Sequence, residues 1–157
     1  MTLPREQGIY CVVFNLPKLI SQEVGMLGIG EFLPGIYFYC GSAKGKGGIK
    51  GRVGRHLTKR TRKHWHIDYI KEYFEPISVW FVTNRNMSEC DLVGNLQKMD
   101  DFQPALRGFG ASDCTQHCFS HLLFSSTHLD MAAVFADLMR SFSEIKQMNV
   151  KSELLIR

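Results

Sequence analysis

GIYFYCGSAKGKGGIKGRVGRHLTKRTRKHWHIDY, residues 35–69, changes character twice along its length. It opens on β-branched and aromatic residues, which read as a strand. The glycines of Ser42–Gly48 then mark a loop. From Ile49 onward, Ile49, Val53, His56 and Leu57 fall at helical spacing with cations on most other positions. Gly51 and Gly54 each weaken that helix by roughly 1 kcal/mol relative to alanine. The stretch therefore predicts a strand, a glycine-rich loop and a basic helix in immediate succession.

Working outward, the tripeptide Gly35-Ile36-Tyr37 has a twin at Gly8-Ile9-Tyr10, which opens a second apolar strand, GIYCVVFNL. Residues 17–34 between the strands hold Pro17, Pro34 and three glycines, and read as a loop or short irregular excursion. Downstream, HWHIDYIKEYF (64–74) reads as a short helix, Pro76 as punctuation, and ISVWFVT (77–83) as a third strand. Ser88 with Asp91 three residues on marks a helix start for SECDLVGNLQKM. The glycine-rich RGFGASDC leads to a fourth strand, HLLFSS (121–126). Residues 130–147 read as a last amphipathic helix. This order gives an α+β fold, a mostly antiparallel central sheet flanked by helices. At 157 residues it is read as one domain over 1–142 with a C-terminal tail over 143–157.

Composition narrows the function classes. Hydrophobic residues are 45% and charged residues 22% of the chain, ordinary for a folded domain. No apolar run approaches the roughly 20 residues that span a bilayer, and no signal-peptide pattern is seen, so a soluble, cytoplasmic protein without a membrane partner is expected. The five cysteines, an odd number, read as reduced thiols rather than a disulfide framework. Net charge is only +4, but nine of the nineteen Lys and Arg lie between Glu31 and Asp68, where no acidic residue stands. That one-sidedness is expected where a polyanion docks. Lys44, Lys46, Lys50, Arg55, Lys59, Arg60, Arg62 and Lys63 are the candidate contacts to a nucleic-acid backbone.

A phosphodiesterase needs a group to orient or deprotonate water, a cation facing the phosphate, and help for the leaving oxygen. Adjacent strands can bring Tyr10 and Tyr39 together. Arg52 and His56, four apart, share a helix face that can point back at them. Glu89, at a helix start, suits a hard divalent ion such as Mg²⁺.

The order and spacing of these residues resemble the GIY-YIG nuclease superfamily. Its first motif matches Gly8-Ile9-Tyr10, its second Tyr39-Cys40-Gly41, its Arg-x-x-x-His the pair Arg52 and His56, and its later glutamate Glu89. The first GIY copy is thus the motif, because only the strand begun at Gly35 runs on into Tyr-x-Gly and the basic helix. The likeness is nearest the small stand-alone Uri-type branch, through Gly41-Ser42-Ala43, Arg55-His56-Leu57, HWHIDY (64–69), Glu89-Cys90, Gly108–Cys114 and Ser120-His121-Leu122. It covers residues 8 to about 125. The resemblance implies hydrolysis of a DNA phosphodiester with one Mg²⁺ or Mn²⁺. Tyr10 or Tyr39 would then act as base or water-orienting group, Arg52 would stabilise phosphate charge, His56 would assist proton transfer and Glu89 would hold the metal. Cys40 replaces the usual isoleucine, the insertion between the motifs is long, and the asparagine of many relatives is missing, with only Asn95 nearby.

Other clusters carry their own expectations. CTQHCFSH places Cys114, His117, Cys118 and His121 together, four soft ligands that could hold zinc, but structural zinc sites usually draw ligand pairs from two separated segments, so these cysteines are expected to pack instead. His66 and Asp68 are expected to pair near the cleft, and Trp65 to join the core. The loop 41–48 lacks the Gly-Lys-Ser/Thr ending of a P-loop, so nucleotide hydrolysis is not expected; Lys44, Lys46 and loop amides suit a DNA backbone instead. The two leading readings are a metal-dependent DNA endonuclease and a nucleic-acid-binding module that keeps the fold without cutting.

Overall fold

The centre of the molecule is the strand β1 (Gly8–Leu16), whose residues are buried on both faces, apart from a half-buried Asn15. Such a strand needs cover above and below, and that requirement organises the rest of the chain. The computed structural model describes residues 2–126 and 128–150. β1 lies between β4 (Gly35–Ala43) and β5 (Glu75–Val82), with antiparallel pairing to both. The two-residue β6 (Gln103–Pro104), β7 (Leu122–Ser125) and β8 (Lys146–Asn149) complete a sheet of order β6-β7-β4-β1-β5-β8 in which every pairing is antiparallel.

One face of the sheet presents Tyr10, Val12, Phe14, Tyr37, Tyr39 and Phe81 to helix α1 (Gly48–Leu57) and the segment that follows it. The other presents Ile9, Cys11, Val13, Phe38, Cys40 and Trp80 to α2 (Glu89–Gln97) and α3 (Met131–Ser141). Alternate side chains of one strand thus fill two separate cores. Ile49, Val53 and His56 are buried in the first of these, as the helical spacing predicts, while Gly51 and Gly54 sit on the exposed face of α1. α2 starts on the expected cap: the Ser88 hydroxyl accepts from the Cys90 amide and the Asp91 carboxylate from the Ser88 amide.

Four sequence expectations are corrected. Residues 17–34 contain a hairpin, β2 (Ile20–Glu23) and β3 (Ile29–Phe32), with Gly25 and Gly28 at positive φ in the turn and Gly30 inside β3. HWHIDYIKEYF forms two short 3₁₀ turns, His66–Tyr69 and Lys71–Tyr73, instead of a single helix. Pro76 lies within β5, not outside it, at the bulge between Val13 and Phe14 and beyond the stretch paired with β8, so no ladder bond needs its missing N–H. The last helix ends at Ser141, and Lys146–Asn149, read as helix end and tail, is the edge strand β8. Among the described residues, no helix is long and apolar enough to cross a membrane.

Candidate active site and an adjoining thiol cluster

Register brings the first motif onto the second. Tyr10 stands opposite Gly41, and its ring lies across that glycine: a Cβ at position 41 would fall 2.4 Å from the Tyr10 hydroxyl. Glycine is needed here for close approach, not for backbone freedom. From α1, His56 reaches back so that its Nε2 lies 2.8 Å from the Tyr10 hydroxyl, in a fully buried hydrogen bond. Tyr39 meets the same imidazole edge-on, ring centroids 5.3 Å apart. The pairing of Tyr10, Tyr39 and His56 is as the sequence predicts.

Burial, with a contribution from neighbouring Tyr39, pushes Tyr10 well above the usual tyrosine range, and burial likewise raises Tyr39. Burial, helped by the positive charges of Lys71, Arg52 and Arg55, brings His56 down to about 3. Both partners of the buried bond are therefore neutral at pH 7. His56 Nδ1 is buried with no hydrogen-bond partner among the described residues.

Arg52 donates from Nη1 to the Ser42 carbonyl at 3.2 Å and stacks its guanidinium 4.5 Å from the Trp65 ring centre. An open cleft of about 200 Å³ lies over this pair, walled by Gly45, Gly47, Gly51 and Arg55. Trp65, half-buried, is at once part of the first core and one wall of the cleft.

Behind the cleft is a network that sequence reasoning assigned differently. The carboxylate of buried Asp68 is 3.0 Å from both the Arg55 guanidinium and the buried Lys71 ammonium. It also accepts from the His64 and Trp65 amides, each at 2.9 Å, and from the Thr61 hydroxyl at 3.2 Å. The Lys71 ammonium donates further to the Arg55 carbonyl and Thr61. These charged hydrogen bonds hold Asp68 well below the usual carboxylate range against the opposing effect of burial. His66 takes no part: its Nδ1 accepts from the Gly110 amide at 2.8 Å, so the expected His66–Asp68 pair does not form.

Among the expected backbone contacts, Lys46, Lys50, Lys59, Arg60, Arg62 and Lys63 are exposed. Arg60 has a surface ion pair with Glu72 at 3.5 Å, and Lys63 donates to the Asp68 carbonyl. Two others are built into the fold. Arg55 is committed to Asp68 and lies over Trp65, and Lys44 donates to the Arg85 and Met87 carbonyls, tying the glycine loop to the segment before α2.

That tie helps to place Glu89, the first residue of α2. Its charge bears on both Tyr10 and Tyr39, and its half-buried carboxylate makes no hydrogen bond or ion pair among the described residues. Asn95 donates to the Asp91 carbonyl on its own helix.

Next to Glu89, cysteines expected to pack instead meet as a group able to hold a metal ion. Cys114, Cys118 and His121 do converge, but the fourth member is Cys90, and all four potential ligand atoms lie within 4.8 Å of one another. His117 is exposed, at the φ of 57° by which the chain turns between the two cysteines. Proximity across 24 residues of chain, between α2 and the loop before β7, is what the sequence did not reveal.

A family model described as "Domain of unknown function DUF123" matches residues 9–144. No curated protein and no solved structure matches the chain significantly. The matched span takes in both tyrosine strands, α1, α2 and the thiol cluster. The chain therefore belongs to the DUF123 family, a GIY-YIG/Uri-type family.

Proposed function

We propose that this protein is a divalent-metal-dependent endonuclease that hydrolyses DNA phosphodiester bonds, acting in the cytoplasm, whose reducing conditions suit five free thiols. The observation that carries the reading is the buried Tyr10–His56 hydrogen bond, set beside Arg52 and an unpaired carboxylate at Glu89. The exposed lysines and arginines of residues 46–63 hold the DNA backbone, and a phosphate seated in the glycine-walled cleft meets Arg52.

In the resting site Tyr10 is a phenol and His56 a neutral imidazole. An arriving phosphodiester offsets the positive charges that depress His56 and so makes it more basic. Water then gives a proton to the Tyr10 oxygen as the Tyr10 proton passes to His56 Nε2. The water oxygen bonds to phosphorus, the ester P–O bond breaks, and the departing oxygen takes a proton from solvent. The Tyr10 contact with His56 favours it over Tyr39 as the group that moves the proton. Glu89 fits one Mg²⁺ or Mn²⁺: it is a single, accessible, uncommitted carboxylate beside the tyrosines, and such ions accept one or two carboxylates with water completing their shell. The metal would supply charge neutralisation at the phosphate.

The test is incubation with labelled single-stranded, duplex and branched DNA, with Mg²⁺, Mn²⁺ or EDTA, alongside Glu89→Ala. Cutting that needs the metal and disappears in Glu89→Ala, with DNA binding kept, supports the reading. Salt-sensitive binding without cutting on every substrate supports the second reading, a binding module. That alternative is favoured by one feature: Asn95 is spent on its own helix and offers Glu89 no supporting amide.

A further inference from the structure

We infer that Cys90, Cys114, Cys118 and His121 form a closed, tetrahedral Zn²⁺ site that fastens the first turn of α2 to the loop before β7. The inference stands on geometry and on ligand chemistry, and it is independent of the nuclease reading.

Cys90 Sγ lies 3.4 Å from Cys114 Sγ and 3.5 Å from His121 Nε2. A tetrahedral zinc ion, with bonds of about 2.3 Å to sulfur and about 2.0 Å to nitrogen, has ligand–ligand edges of about 3.5–3.8 Å. The observed spacings already approach those edges. The thiols are free, and bonded sulfurs would stand about 2.0 Å apart. A disulfide would in any case leave one cysteine over and give no role to His121.

That histidine is the second line of argument. It is 2% exposed, and its Nε2 is turned toward Cys90. The third line is the turn between Cys114 and Cys118. His117 holds a left-handed backbone, at φ 57°, that non-glycine residues adopt only at a cost. The turn folds the two cysteines onto one point while placing the His117 side chain in solvent.

Soft thiolates with one imidazole select Zn²⁺ over Mg²⁺ or Mn²⁺, which prefer oxygen. Four protein ligands leave no open position, so the site is structural. Its location gives it a consequence: Cys90 adjoins Glu89 in sequence, and a metal held there fixes the start of the helix that presents the carboxylate.

The test is elemental analysis of full-length protein purified under reducing conditions, together with titration of the metal-free protein with Co²⁺ as a spectroscopic probe. One zinc per chain is expected, as are the thiolate-to-cobalt charge-transfer and tetrahedral ligand-field bands. Cys90→Ser and Cys118→Ser should each weaken Co²⁺ binding at least 10-fold, whereas His117→Ala should bind as the parent does. Circular dichroism checks that each variant is folded. Absence of zinc together with absence of a cobalt spectrum would overturn the inference. So would a folded Cys90→Ser protein that binds Co²⁺ as the parent does, or a His117→Ala protein that loses it.

Discussion

The two sides of the central sheet treat buried polar groups in opposite ways. On the α1 side, Asp68 is answered by Arg55, Lys71, Thr61 and two backbone amides, all supplied by the chain itself. On the α2 side, three thiols and an imidazole crowd one point. A carboxylate ringed by cations is complete without a ligand, but crowded thiols gain a full set of bonds only around a metal. The contrast lies in the acceptor: the Asp68 carboxylate finds its donors within the fold, although Arg55 Nε is buried without a partner among the described residues. In the proposed active site, His56 Nδ1 and the Glu89 carboxylate make no hydrogen bond among the described residues, beside the satisfied Tyr10–His56 bond.

The comparison is broken most severely at Asp68. Asp68→Ala leaves the Lys71 ammonium buried without its carboxylate, and unfolding in urea should show a loss of about 3–5 kcal/mol. A loss below about 1 kcal/mol would mean the network does not hold the segment after α1. On the opposite side, Cys118→Ser should change the stability of chelator-treated protein by no more than about 1 kcal/mol, yet abolish the stabilisation that added Zn²⁺ gives the parent. Thermal melts with and without zinc check this.

Acid titration gives a smaller, graded effect. The folded protein holds His56 at about 3, whereas an unfolded histidine titrates near 6.5, so between these values the unfolded chain binds the extra proton. Stability contributed by His56 is therefore present at neutral pH and is lost as pH falls from about 6.5 toward 3, at a slope approaching 1.4 kcal/mol per pH unit. Asp68 contributes in the same direction only below about 4, where an unfolded aspartate takes up its proton. Comparing the parent with His56→Gln between pH 7 and 5 isolates the histidine. Parallel curves would show that His56 is not held neutral.

The smallest effect sorts the basic block. Lys50→Ala removes an exposed cation and should lower the salt slope of DNA binding by about 0.9 for each phosphate that this lysine neutralises in the parent. Arg55→Ala should act on stability instead, because its guanidinium is committed to Asp68. Fluorescence anisotropy across a salt series, beside urea melts, separates the two.

The legible parts of the sequence were those whose signal is local. β1 and β4 are continuous apolar and aromatic runs, because both faces are covered, and α2 carries its cap in Ser88 and Asp91. That Tyr10, Tyr39 and His56 would meet was legible from the order and spacing of their motifs. What was hidden depended on distant backbone or side-chain partners. β8 turns only Met148 inward and is held as a strand by pairing to β5, so KQMN carries no periodic signal. Alternation of His66 and Asp68 suggested a pair, but the 3₁₀ turn folds the Asp68 carboxylate back onto the amides of His64 and Trp65. Asp68 is the first acidic residue after the basic run, and that position was the available sign that it would take cations from it. Cys90 had a comparable sign: unlike Cys11 and Cys40 it lies outside the strands, at the start of a helix, free to supply the second segment that a zinc site needs.

The central claim is that Tyr10, through His56, moves the proton in phosphodiester hydrolysis. The most direct measurement is the single-turnover cleavage rate of the parent, Tyr10→Phe and Tyr39→Phe on the preferred DNA with Mg²⁺ at pH 7, with binding measured in parallel. The account predicts cutting by the parent and a loss of about 10²–10⁴-fold in Tyr10→Phe, with DNA affinity unchanged and Tyr39→Phe the less impaired of the two. Cutting by Tyr10→Phe at the parental rate, or a parent that binds every DNA and cuts none, would contradict it.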